Sequence, residues 1–416
     1  MSDTSLPGTE PLTPTPPRAK AAAYFDAFLL SLGAALAPGL VRFSYALLLP
    51  PMKADLGWNF SQAGAMNTAN VLGYLLGAVV STAVIGRCRT HVLFMAGCLA
   101  SAALMACGAF TAEFLPLLAQ RFASGFSNAA GYIAGGMLAA QLARTCSRSS
   151  LIIGIYYGGV GWGIVLSALL VPATLRPGLH GWQQSWLALA VASATLALLA
   201  GQAARRVGKD DKLEAHPKHE ALSYSSFWLA LLSYSLFGLG YIAYMTFVVA
   251  MLQQTGLGDG GAATFYTVLG LSVICSSFIW ATLIESTRGA RALAILSALL
   301  SLATMIPATS TSPPMQLFSC VAFGATFMSV ASSMTSFVKK GLPLAQWRSG
   351  IAAFTIAFAA GQVIGPLVFG RIADHHGLSH GFLLSGLVLL VGAALAALQR
   401  PLPSTPAGVG RRKQTG

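Results

Sequence analysis

Positions 199 residues apart carry the same landmarks, and each copy is built almost wholly of apolar stretches long enough to cross a membrane. Gly39, Leu40, Tyr45, Met52, Gly57, Ala63 and Thr68 fall on Gly238, Leu239, Tyr244, Met251, Gly256, Ala262 and Thr267. The register continues with Leu118, Ala123 and Gly125 on Leu317, Ala322 and Gly324, and Arg148-Ser149 returns as Arg348-Ser349 after a one-residue slip. A parallel duplication in a membrane chain yields two similar bundles with a site between them, the arrangement by which a transporter alternates access.

Crossing roughly 30 Å of hydrocarbon takes about 20 apolar residues. Twelve blocks meet that need, near 25–48, 62–86, 92–112, 114–140, 150–174 and 184–203, then 225–252, 263–285, 289–308, 314–338, 347–371 and 379–398. With 55% of residues hydrophobic and 9% charged, the chain lies far from the composition of a soluble domain. The expectation is an all-α polytopic membrane protein with twelve transmembrane helices in two pseudo-symmetric six-helix bundles. Its divisions would be a disordered cytoplasmic tail (1–22), an N-terminal bundle (23–203), a cytoplasmic linker (204–224), a C-terminal bundle (225–400) and a second cytoplasmic tail (401–416). The opening stretch is rich in Pro and Thr with no early cationic region, so it reads as a tail rather than a cleaved signal peptide.

Basic residues orient the spans. With both termini in the cytoplasm of a bacterial cell, 20 of the 25 Lys and Arg fall on the cytoplasmic side of the inner membrane, and Lys53, Arg176 and Arg371 on the other. Sorting of this kind, with attraction to anionic membrane lipids, accounts for the net charge of +13 without nucleic acid. The six cysteines lack metal-ligand spacing, and His216 and His219 lie in the hydrated linker, so no metal or other cofactor is expected. Nothing like G-x-x-x-x-G-K-[ST] is present to bind a driving nucleotide.

The stretch RFASGFSNA, with Arg121-x-x-x-Gly125-x-x-x-Ala129, resembles the fourth-helix motif of the major facilitator superfamily, and the likeness covers residues 24 to 400. Within it, GLVRFSYALLLPPMKADLGWNFSQAGAMNTANVLGYLLGA, GLGYIAYMTFV and GQVIGPLVFGRIADHHG look like the YbfB/YjiJ branch. The resemblance implies a monomeric secondary transporter whose first and fourth helices in each half line a central cavity. It also implies protons as the usual coupling ion. The superfamily's loop signature between spans two and three is reduced here to STAVIGRCRTH, and its counterpart keeps only Glu285 with Arg288 and Arg291. Those residues would be the gating contacts. The fifth span has Gly154, Gly158, Gly161 and Gly163 but not the Gly-Pro pair of many drug/proton antiporters.

Two arginines lie inside spans. Counting at 1.5 Å per residue sets both Arg42 and Arg121 roughly 8 to 9 Å to the periplasmic side of the midplane. Such a charge costs at least about 2.5 to 3.5 kcal/mol unless paired. The acids nearest to spans, Asp26, Glu113, Glu285 and Asp374, all sit close to a membrane surface. The missing counter-charge is therefore read as cargo, a small organic anion such as a carboxylate. Polar and aromatic stripes at helical spacing supply further candidate contacts: Asn67 and Asn70 with Tyr74, Ser124 and Asn128 with Tyr132, and Tyr234, Phe237, Tyr241 and Tyr244. Tyr45 lies one turn from Arg42, and the repeat sets Tyr241 where Arg42 stands. Charge in one half faces aromatic surface in the other, which suits an anion with an apolar or aromatic body. Asp26 and Glu113 are candidates for proton coupling by elimination.

Structural readings stand beside these. Arg121 could bond to backbone carbonyls of a neighbouring helix, Asn67 and Asn70 could bind helices together, and the aromatic stripe could be packing. Rival functions are efflux of drug-like or neutral solutes by the same fold and a solute-sensing membrane receptor. An intramembrane enzyme would need a nucleophile pair, paired carboxylates or a metal cluster at one depth, and none is present.

Overall fold

The computed structural model describes residues 17–402 except 86, 145, 147–148, 211–223, 257 and 344–345. Twelve long helical spans traverse it among the described residues. The N-terminal half holds span 1 (Pro17–Ala34, Ala35–Phe43 and Tyr45–Asp55), span 2 (Phe60–Val84), span 3 (Thr90–Cys107), span 4 (Phe114–Arg144), span 5 (Ser149–Thr174) and span 6 (Trp182–Val207). The C-terminal half holds span 7 (Trp228–Gln254), span 8 (Asp259–Ile279), span 9 (Arg291–Thr309), span 10 (Pro313–Gly341), span 11 (Trp347–His376) and span 12 (Leu378–Leu398). Among the described residues, ten helices are long and apolar enough to cross a membrane by length and hydropathy. Span 4, diluted by Arg121, Ser124, Ser127 and Asn128, and span 8 fall outside that group.

An even number of spans per half brings the start of the chain, the central linker and the end to one end of the bundle, called here the linker end; the opposite end is the distal end. Span 1 begins at Pro17, inside the stretch expected to be a tail. Proline suits the first helical position, where its missing N–H is no loss, and the Ala run that follows favours helix. Span 6 likewise runs past the expected boundary at 203 to Val207, because Ala203 and Ala204 remain buried and Arg206 pairs with Asp26 of span 1 at 2.5 Å. Most of the expected linker and tails lies outside the described residues.

The repeat seen in the sequence reappears as geometry. Gly57 and Gly256 both hold positive φ, 64° and 86°, in the turns after spans 1 and 7, a conformation that only a residue without Cβ adopts freely. A Cβ on Gly125 would lie 1.9 Å from the Asn70 carbonyl oxygen, and one on Gly324 would lie 2.7 Å from that of Leu269. Asn70 and Leu269 are themselves related by the offset, so spans 2 and 4 cross at the same small residue as spans 8 and 10. Without a hydrophobic force between helices in lipid, such close backbone approach supplies the packing.

The halves differ in their first spans. Span 7 is a continuous α-helix, whereas span 1 passes through nine residues of π-helix, Ala35–Phe43, with Pro38 inside. Proline removes a donor from the ladder and crowds the preceding turn, and a π register absorbs such a defect by shifting each bond one residue further. No feature of the sequence announced this segment.

Candidate functional site

The widened segment of span 1 has carbonyl groups available for partners outside the helix, and three side chains from two other spans use them. Asn128 Nδ2 donates to Ala37 O at 3.0 Å, Arg121 Nη1 to Val41 O at 2.8 Å, and Tyr266 Oη to Phe43 O at 2.6 Å. The first two donors stand on span 4 and the third on span 8 of the opposite half. Between these anchored carbonyls sits Arg42.

Arg42 is 7% exposed, and its Nε and Nη2 atoms are buried with no hydrogen-bond partner. Its guanidinium lies 5.7 Å from the Phe43 ring centre and within electrostatic reach of Tyr74 on span 2 and Tyr241 on span 7. The ion pairs among the described residues are His180–Asp55 and Arg206–Asp26, so neither involves Arg42. A buried guanidinium flanked by both halves and lacking an acid is a receptor for an anion or an unpaid desolvation cost.

Arg121 is 1% exposed and lies within the N-terminal bundle. Besides the bond to Val41, its guanidinium sits 5.0 Å over the Tyr45 ring and 5.7 Å over Trp186 of span 6, distances at which an aromatic face attracts a cation. Tyr45 donates to Ala63 O at 2.8 Å, and Asn70 Nδ2 reaches Arg121 O at 3.1 Å and Ser124 Oγ at 3.3 Å. Arg121, Tyr45, Asn70 and Asn128 thus form one network inside that half, although Arg121 Nε and Nη2 and the Asn70 and Asn128 carbonyl oxygens keep no partner; Arg121 differs from Arg42 in its bond to Val41 O and its two aromatic neighbours. Tyr244 occupies the matching place in the C-terminal half: its hydroxyl shares a 2.9 Å bond with Ser319 and its ring stacks on Phe323 at 3.8 Å.

Asn67 and Tyr241, by contrast, lie where the halves meet. Asn67 Nδ2 donates to Thr246 Oγ1 of span 7 at 2.6 Å and leaves its Oδ1 unpartnered. Tyr241 bonds to Gln362 of span 11 and stacks between Phe237 at 5.0 Å and Phe327 at 6.0 Å, with Phe358 at 5.6 Å. Phe358 also lies over Tyr234 at 5.1 Å and is half-buried. Of the weaker candidates, Asp26 is engaged by Arg206, Glu113 is exposed near the distal end, and Glu285 and Arg288 line a surface pocket with Lys340, remote from Arg42. Thr246, Gln362 and Tyr266 carry no signal in the sequence, because each acts through a partner more than 100 residues away.

Apolar spans, doubled bundles and a polar seam between them define a secondary transporter of the major facilitator superfamily, not an enzyme. The chain belongs to the family described as "Uncharacterised MFS-type transporter YbfB", whose model matches residues 34–397. It is 25% identical over 389 residues to a "Chloramphenicol resistance protein" of Streptomyces lividans, covering 90% of this chain and 96% of that one. Among solved structures it resembles a bacterial homolog of the human lysosomal transporter Spinster in an inward-facing, unoccupied conformation, with TM-score 0.69, 14% identity, and 91% and 97% of the two chains covered. It resembles the nucleoside transporter NupG equally well, with TM-score 0.69, 13% identity, and 90% and 98% covered. At such identities these likenesses carry the fold alone.

Proposed function

We propose that this chain carries a small organic anion, a carboxylate, across the bacterial inner membrane by alternating access, with both termini in the cytoplasm and Arg42 as the anchor for the anion. The single observation that supports this is the buried Arg42 guanidinium, two of whose nitrogens lack partners. Charge-assisted hydrogen bonds to a carboxylate are worth roughly 1.5 to 3 kcal/mol each, enough to offset the cost of an intramembrane arginine. Asn67 and Tyr241 would complete the polar contacts, and the Tyr234, Phe237, Tyr241 and Phe358 wall would receive an apolar or aromatic body. We give Arg121, Tyr45, Asn70, Asn128 and Tyr244 the role of supporting the two first spans that flank the cargo.

Counterflow into proteoliposomes tests this with a labelled panel running from lactate to benzoate and phenylacetate. Accumulation of at least one member, lost in Arg42→Gln, supports the reading; equal counterflow in the variant overturns it. A second reading, export of a drug-like solute, draws on the chloramphenicol resistance relative. It predicts that expression raises chloramphenicol tolerance and that Arg42→Gln leaves the gain intact. Proton coupling remains part of the proposal only through the family expectation, since Asp26 is already engaged by Arg206.

A further inference from the structure

The first turn of span 2 is capped by two halves of the molecule at once. A helix leaves its first four N–H groups without intrahelical acceptors. Here Asn59 Oδ1 accepts from Gln62 N at 2.8 Å and Gln62 Oε1 accepts from Asn59 N at 3.0 Å, a reciprocal box within the N-terminal half. The two N–H groups between them are served by Asp374, in the last turn of span 11. Its Oδ1 accepts from Phe60 N at 2.6 Å, and its Oδ2 from Ser61 N at 2.9 Å and Ser61 Oγ at 2.5 Å. A carboxylate at this position also meets the positive end of the helix dipole.

The contact heads a seam between spans 2 and 11. A Cβ on Gly370 would lie 2.6 Å from Phe60 O, one on Gly64 would lie 2.3 Å from Pro366 O, and Thr68 Oγ1 donates to Val363 O at 2.9 Å. Positions 60, 64 and 68 of one helix thus meet 374, 370, 366 and 363 of the other, one helical turn at a time. Lys53 Nζ lies 4.4 Å from the Phe60 ring centre at the same end.

A second contact between the halves, among the described residues, loosens away from that side. Spans 5 and 8 touch where a Cβ on Gly161 would lie 2.4 Å from Gly270 O; toward the linker end the nearest atom to one on Gly158 is 3.9 Å away, and one on Gly154 would meet nothing within 4 Å. Between spans 5 and 8 the described contact is close at mid-span and loosens toward the linker end. To open distally, the seam must part, and Asp374 must leave two backbone N–H groups that have no other acceptor within their half.

We infer that Asp374 is the distal latch of this transporter, a residue that contacts no cargo but sets how often the distal side opens. The inference rests on the transporter fold and is independent of which solute is carried. Spin labels on Arg176→Cys and Thr311→Cys, exposed distal positions of the two halves, would report their separation by double electron–electron resonance in a background with the six native cysteines replaced. Asp374→Ala should increase the population with the longer separation about tenfold, since the lost set of charge-assisted bonds is of that order. Ser61→Ala, which removes one donor of three, should move the same population in the same direction by less, and the double variant should add nothing to Asp374→Ala. If Asp374→Ala fails to fold, Ser61→Ala reads the same equilibrium. Unchanged separations in the variants that fold would overturn the assignment, whatever the outcome of the cargo experiments.

Discussion

Span 1 and span 7 are two copies of one ancestral element, yet one carries a π-helical segment and an unpaired arginine while the other is a regular helix with a tyrosine in the arginine's place. Their outer frames agree: Tyr45 and Tyr244 are buried and hydrogen-bonded inside their own bundles, and Gly57 and Gly256 turn with positive φ. What differs is polar content at the centre. Arg42 and Arg121 of the N-terminal half correspond by offset to Tyr241 and Cys320, and Cys320 is content with a weak bond to Phe265 O at 3.0 Å. The duplicated scaffold supplies two matching bundles, and under the proposed function the substitutions that broke the symmetry would give recognition of charge to one half and of shape to the other.

The contrast between the arginines has the largest expected consequence. Arg42→Gln should lower carboxylate transport by at least about 100-fold in kcat/KM, or about 2.7 kcal/mol of lost cargo binding. It should not lower the melting temperature of the purified protein, because it removes an unpaired buried charge. Arg121→Met should do the reverse. Leaving Val41 O without its donor should cost about 1 to 3 kcal/mol of stability, read as a lower melting temperature in detergent, while any remaining folded protein keeps its affinity for cargo. Equal thermal effects of the two substitutions would erase the distinction between them.

A smaller difference tests the depth of the helix crossings. Gly125→Ala and Gly324→Ala should each destabilise through overpacking, by about 1 to 3 kcal/mol. The N-terminal substitution should cost more, since its Cβ would meet backbone at 1.9 Å against 2.7 Å. The smallest effect concerns the matched tyrosines: Tyr45→Phe and Tyr244→Phe each remove one buried hydrogen bond, so thermal melts should show equal losses of about 1 kcal/mol. A wide gap between those two would mean that the frames differ as well as the centres.

Twelve spans, duplication and the two arginines were all readable from residue order, because hydropathy and spacing are local or periodic properties. Asn70 and Asn128 could be identified as polar positions in a membrane, but not as partners of Arg121 O and Ala37 O, since only packing decides which carbonyl a side chain meets. The π-helical segment escaped for a related reason. Pro38 signals a defect, yet kink, break and register shift are equally compatible with it until span 4 and span 8 present Arg121, Asn128 and Tyr266 to the segment's carbonyl groups. Asp374 looked like one more surface acid, and its partner is a helix start 313 positions away. The resemblance to the superfamily implies gating contacts at Glu285 and Arg288, at the linker end, whereas the seam between spans 2 and 11 is closed at the distal end by Asp374.

Isothermal titration of the purified transporter with the panel carboxylate that gives the fastest counterflow measures the free guanidinium directly. The unaltered protein and Arg121→Met should bind it within about threefold of each other, and Arg42→Gln at least about 100-fold more weakly. Undiminished affinity in Arg42→Gln would show that the anion, if one is carried, is held elsewhere.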